Sequence, residues 1–157
     1  MTISAEAALA GVQTAIAAYA HAIDAGRTEV IPDLFTEDGV AEIVGQGTFE
    51  GREAIRKAYG AFVPQAPQLH LVGNTVLTSP PGEEVTASSN LVFFARGDNG
   101  WAVQLAGSYE DTLVLVDGTW LFRKRVTSFK SPRPRGVRWH GSRATGHRSA
   151  RAAGPAP

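Results

Sequence analysis

With 157 residues, no cysteine, and fifteen basic residues against fifteen acidic ones, the chain has the length of a single domain and a formal net charge of zero. That composition excludes disulfide cross-links, thiolate catalysis and zinc–thiolate sites. The longest apolar run falls far short of the roughly 20 residues that span a bilayer. The N-terminus lacks the charged and apolar regions of a secretory signal, so a cytoplasmic, non-membrane protein is the expectation.

The zero averages two unlike parts. Residues 131 to 157 hold six Arg, two His, four Pro and four Gly with no acid, whereas residues 1 to 130 hold all fifteen acids against nine bases, a net charge of −6. The division is therefore a mildly acidic domain over 1–130 and a basic tail over 131–157. The tail has no hydrophobic periodicity and is expected to be disordered. It also lacks the interleaved aromatics of a single-strand binder, so a nucleic-acid partner is not expected.

In chain order, Leu9, Val12, Ile16, Tyr19, Ala20 and Ile23 recur at helical spacing after a candidate N-cap at Ser4, and Gly26 suits the position just past the helix end. A short second helix is expected over 30–35, with Pro32 tolerable in its first turn. A small hairpin, 40–44 with 48–50, turns around Gly45-Gln46-Gly47, and a third helix over 52–62 buries Ile55, Tyr59 and Phe62. After Pro67 the pattern changes to strands over 69–78, 85–96, 101–116 and 119–127, separated by Pro80-Pro81-Gly82, Gly97-Asp98-Asn99-Gly100 and Asp117-Gly118. Three helices followed by a long antiparallel meander predict an α+β fold with the helices on one side of a curved sheet. Residues 91–94 and 113–116 are apolar on both parities, which predicts that the second face is covered as well, most simply by a homodimer formed through the sheet.

The candidate chemistry lies in a buried imidazole. His70 sits in the apolar tract Leu69-His70-Leu71-Val72-Gly73-Asn74, and Asp24 closes the first helix. A His that donates one ring N–H to an Asp presents its other nitrogen as a general base. Asp24 lies in the last helical turn, where the macrodipole disfavours a negative charge, so it needs compensation; His21 or Arg27 could supply it as an ordinary surface pair. For His70 the plainer reading is a solvated or hydrogen-bonded strand residue, and parity alone leaves its face undecided. Asp111 lies mid-strand on one parity with Tyr109 and Leu113. It is a functional acid if that face lines a pocket, and the partner of Arg123 or Arg125 across the Asp117-Gly118 hairpin if it faces solvent. Tyr19 lies on the apolar stripe, where it reads as core with a hydroxyl in need of a partner. No metal-ligand cluster, phosphate loop or nucleotide fingerprint is legible, so neither metal nor cofactor is expected.

Six segments occur in order: Tyr19 with Asp24, Leu34-Phe35-Thr36-Glu37-Asp38-Gly39, residues 49–55, residues 69–74, Gly107-Ser108-Tyr109-Glu110-Asp111, and Asp117-Gly118-Thr119-Trp120. Together they resemble the SnoaL-like branch of the nuclear transport factor 2-like superfamily. The resemblance covers about residues 5 to 130 and implies a cone-shaped, cystatin-like α+β barrel. It further implies that Asp24 and His70 match the helix-borne Asp and strand-borne His of scytalone dehydratase. That enzyme's second His falls near Ser89, its pocket Asn near Tyr109, and one of its tyrosines at Ile23. Against the ketosteroid isomerases, Tyr19 and Asp111 match the oxyanion-hole residues, while the general-base position falls at Ile43.

Two functions follow. One is a lyase or isomerase, similar to a dehydratase or polyketide cyclase, acting on a small apolar, ketone-bearing metabolite. His70, Asp24, Asp111 and Tyr19 would be catalytic, and Asn74, Ser89, Tyr109 and Tyr59 substrate-binding. The other is a non-catalytic small-molecule-binding or accessory protein of the same fold.

Overall fold

The computed structural model describes residues 3–130. The tail assigned to 131–157 therefore lies outside the described residues. Helix α1 spans Ala5–Asp24, and the Ser4 side chain accepts a hydrogen bond from the Ala7 N–H as its N-cap. The helix ends at Gly26, whose φ of +71° is the left-handed conformation that glycine adopts without strain. The short second helix is a 3-10 helix, Thr28–Leu34, rather than an α-helix; Pro32 within it cannot donate to an α-helical ladder. The third is α2, Gly51–Tyr59.

The strands are β1 (Phe35–Ile43), β2 (Gly47–Glu50), β3 (Gln68–Leu77), β4 (Glu84–Gly97), β5 (Gly100–Val116) and β6 (Thr119–Phe129). They form one sheet in the order β2-β1-β6-β5-β4-β3. Two expectations are corrected here. The sheet is mixed rather than antiparallel, because β1 pairs parallel with β6. That pairing joins the first strand to the last through the whole intervening meander, in keeping with the need of parallel pairs for a long connection. The sheet also stays open, with β2 and β3 as its edges, so no barrel is closed.

Alternation along β4 and β5 separates the two faces. Val85, Ala87, Leu91, Tyr109 and Leu113 are buried and join Val12, Ile16, Tyr19 and Ile23 of α1 in one core. Helix α1 lies against β3 and β6, and α2 against β1 and the 3-10 helix. The fit is close at Gly11, where a Cβ would collide with the Trp120 indole. On the outward parity Leu69, Leu71, Val76 and Val103 are exposed, as is Trp101 beyond them. Phe94 shares that outward face, whereas Phe93, its neighbour in the apolar run, turns inward against His70.

Among the described residues, no helix is long and apolar enough to cross a membrane.

Candidate active site

Asp24 needs donors that its own helix does not provide, and β3 supplies two. As an edge strand, β3 has N–H groups with no neighbouring strand to accept them. The His70 N–H donates to Asp24 Oδ2 at 2.7 Å, and His70 Nδ1 lies 2.6 Å from Asp24 Oδ1. The two residues are 46 positions apart, so this pair also clasps the end of α1 to the sheet edge. His70 shares the inward parity with Val72, while Leu69 and Leu71 on the other parity are exposed; the face left open by the sequence is the inward one. Its ring packs on Phe93 at a centroid distance of 4.6 Å. An Nδ1 proton donated to the carboxylate places the lone pair on Nε2, a tautomer assigned from the hydrogen-bond pattern. Among the described residues Nε2 has no hydrogen-bond partner.

His70 borders a cavity of about 290 Å³ on the inward side of the sheet. Its walls are mainly apolar, with Ile23, Ile43, Phe62, Leu91, Phe93 and Leu105 among them. All three tyrosines of the chain line it, one each from α1, α2 and β5. Tyr19 and Tyr59 share a hydroxyl–hydroxyl hydrogen bond of 2.8 Å, their rings meeting edge to face. Burial pushes the Tyr19 and Tyr109 hydroxyls well above the usual tyrosine range, and raises Tyr59 to about 12. All three are therefore proton donors at neutral pH. Gln46, Gln65, Gln68 and Thr127 add polar lining that the sequence did not single out.

The candidate residues thus divide. His70, Tyr19, Tyr59 and Tyr109 meet at the cavity, and Asp24 sits behind His70. Asp111, Asn74 and Ser89 do not line it. Asp111 faces inward, yet it is fully buried in a bidentate pair with Arg125, Nε to Oδ1 at 2.8 Å and Nη2 to Oδ2 at 2.7 Å, so both of its oxygens are filled. Register made that partner available, because Asp111 lies directly opposite Arg125 across the hairpin. Asn74 sits at an irregularity in β3 with φ of +54° and lines an outer groove between α1 and β3 instead. Ser89 is buried in β4 and hydrogen-bonds Thr75 of the neighbouring β3 at 3.0 Å. What the sequence did not suggest is the setting of Arg125. Its guanidinium lies 4.3, 4.0 and 4.1 Å from the ring centroids of Tyr19, Tyr109 and Phe122. Among the described residues, no three or more His, Cys, Asp or Glu side chains gather where they could hold a metal ion.

The family description SnoaL-like domain matches residues 6–126. The chain belongs to the SnoaL-like domain family. Its fold recurs in solved structures. The beta subunit of a putative aromatic-ring-hydroxylating dioxygenase from Novosphingobium aromaticivorans is 25% identical, with a TM-score of 0.71 over 82% of this chain and 93% of that one. A protein from Catenulispora acidiphila, solved in complex with S-DNPA, is 27% identical, with a TM-score of 0.69 over 76% of this chain and 91% of that one. An NTF2-like protein with a cystatin-like fold from Novosphingobium aromaticivorans, 22% identical and with a TM-score of 0.68 over 76% of this chain and 80% of that one, shares the fold. Together these agree with the SnoaL-like, nuclear transport factor 2-like resemblance read from the sequence. No protein of curated function matches the chain.

Proposed function

We propose that this SnoaL-like protein is an enzyme that binds a small, largely apolar, ketone-bearing metabolite at the mouth of a cone formed by its sheet and helices, and moves a proton on it as a dehydratase, isomerase or cyclase. The single observation that carries this reading is the His70–Asp24 pair at 2.6 Å beside an apolar cavity, with Nε2 left unpartnered. Nε2 takes the proton from the substrate and later returns it. Asp24 holds the tautomer and stabilises the imidazolium, and the tyrosine hydroxyls donate to the oxygen that gains charge. Positioned acid–base catalysis supplies about 10²–10⁴-fold in rate. His70→Ala and Asp24→Asn are each expected to lower turnover by a factor in that range, read on a panel of apolar ketones and hydroxyketones. Full turnover in both variants would remove the mechanism.

A second reading is a non-catalytic accessory or binding protein. It is favoured by the likeness to a dioxygenase beta subunit and by Ile23 and Ile43, which put aliphatic carbon at two cavity positions where catalytic relatives are expected to carry polar groups. Turnover by the native protein on the same panel separates the two, since catalysis requires it together with its loss in His70→Ala, and binding alone gives neither.

We further propose a homodimer through the outward face of the sheet. Leu69, Leu71, Val76 and Val103 are exposed there beside half-buried Val92 and Phe94, and apolar side chains grouped on one exposed face mark an interaction surface. Light scattering is expected to give about twice 16.6 kDa, and Phe94→Lys to split the dimer; a native mass of one chain would overturn this.

A further inference from the structure

We infer that Gln68 is the positioning residue of the candidate site: its side-chain amide fixes the backbone at the end of α1 and so holds Asp24 where it keeps the His70 lone pair on Nε2. This rests on the proposed role of the His70–Asp24 pair and adds the residue that sets its geometry.

The pair does not set that geometry by itself. Both of its hydrogen bonds reach Asp24 through a side chain that turns about two bonds, with Oδ2 accepting the His70 backbone N–H and Oδ1 facing the ring. If the end of α1 shifts, the carboxylate can keep the backbone N–H and lose the ring. Among the described residues, one hydrogen bond joins β3 to the backbone of α1: Gln68 Nε2 donates to the Ile23 carbonyl at 3.2 Å. That carbonyl belongs to the peptide unit that carries Asp24. Gln68 stands two residues before His70 on the same inward parity, about 7 Å along the strand. One strand therefore grips the helix end at two points, one through backbone and one through the carboxylate.

The end of a helix makes such a brace necessary. Carbonyls of the last turn lack intrahelical partners, and their dipoles disfavour a carboxylate placed among them. The N–H groups of Ala25 and Arg27 donate to the carbonyls of His21 and Ala22, and Gly26 donates to Ile23 at 3.2 Å. Ile23 keeps a second lone pair, and Gln68 fills it. A carbonyl only accepts, so the amide must turn Nε2 towards it, and the orientation of Gln68 follows from its partner. Gln65 lines the same cavity but spends its amide on Val63 of its own loop, so it braces nothing. Without Gln68 the Ile23 oxygen would keep a bare partial charge beside Asp24, and α1 would be free to slide along β3.

The test reads the tautomer of His70 by 15N NMR of the full chain, at a pH where the ring is neutral, with His70→Ala identifying its signals among the four histidines. In the native protein Nδ1–H is expected to exceed Nε2–H by at least about tenfold. Gln68→Met keeps the length of the side chain and loses the donor; the ratio should fall at least about fivefold, and kcat about tenfold with KM held within about twofold. Ser4→Ala removes the cap at the other end of α1, loosening the same helix, and should leave ratio and kcat unchanged. An unchanged ratio in Gln68→Met, an equal fall in Ser4→Ala, or a rise in KM at constant kcat would each overturn the inference. Should Gln68→Met fail to fold, Gln68→Asn decides: it keeps the amide but is one methylene too short to reach Ile23, and an unchanged ratio overturns the inference. Failure of the proton-transfer reading is seen separately, as full turnover in His70→Ala or none in the native protein, while the tautomer ratio still answers to Gln68. A native ratio without excess of Nδ1–H would overturn both.

Discussion

Asp24 and Asp111 each bind a nitrogen base at hydrogen-bond distance, yet their settings are opposite. The Asp24–His70 side chains keep 15% and 13% of their surface exposed, bordering the cavity on one side and an outer groove on the other; Asp111 and Arg125 keep none. A pair reached by solvent and ligand can exchange a proton, whereas a sealed carboxylate–guanidinium pair cannot without leaving a bare charge in the core. Residue type does not distinguish them, since both carboxylates were candidates in the sequence. What separates them is the strand each partner occupies: His70 is on an edge strand beside a helix end, and Arg125 lies between β1 and β5.

The comparison is broken most strongly at Asp111. Asp111→Ala leaves Arg125 charged and uncompensated in the core, and is expected to destabilise the fold by about 3–5 kcal/mol in chemical denaturation. A loss under about 1 kcal/mol would mean that water reaches the pair. Asp24→Ala removes two hydrogen bonds of a charged group at a site partly open to solvent, so a smaller loss of about 1.5–3 kcal/mol is expected alongside the fall in turnover. If the two variants were equally destabilised, the contrast between sealed and accessible pairs would fail.

The smallest effect concerns the tyrosines that lie between the two pairs. Tyr59 ionises near 10 when unfolded and is raised to about 12 in the fold by burial, so its contribution to stability is fully present below pH 10 and is lost as pH rises through 12. Melting temperature is expected to hold up to about pH 10 and fall beyond it. Because all three tyrosines line the cavity, tyrosinate absorbance reports on that site alone. Tyr59→Phe should lessen the alkaline fall and cost about 1 kcal/mol at neutral pH through the lost Tyr19 hydrogen bond.

The sequence made the elements legible because their signals are local. Ser4 and Gly26 bracket α1 at the positions that cap chemistry demands, and the turns at 80–82, 97–100 and 117–118 separate β3 through β6. It could not show the parallel pairing of β1 with β6, since register between distant strands leaves no local trace. For the site, His70 and Asp24 were legible as a pair of suitable residue types, and their contact follows from where α1 ends against β3. Asn74 and Ser89 fell outside the cavity for local reasons: an irregularity in β3 leaves one exposed, and the other is buried in a cross-strand hydrogen bond to Thr75. The setting of Arg125 was hidden because a strand arginine two residues from another basic side chain reads as surface, and only burial on both sides makes it core.

The pairing of β1 with β6 also governs the order in which the molecule can assemble. Val40 finds its place beside Lys124 only after nearly the whole domain has been synthesised, so β1 and the β2 hairpin attached to it must wait while β3 to β6 pair with their sequence neighbours. Closing so long a loop is entropically costly and slows folding in chains dominated by distant contacts. During that wait the edge of β6 that β1 will occupy stays open, and Phe35, fully buried against Phe122 in the finished protein, has not yet covered it. The stage at which this chain is most exposed to mispairing with a neighbouring copy is therefore late in its synthesis, with four strands formed and the first still unattached.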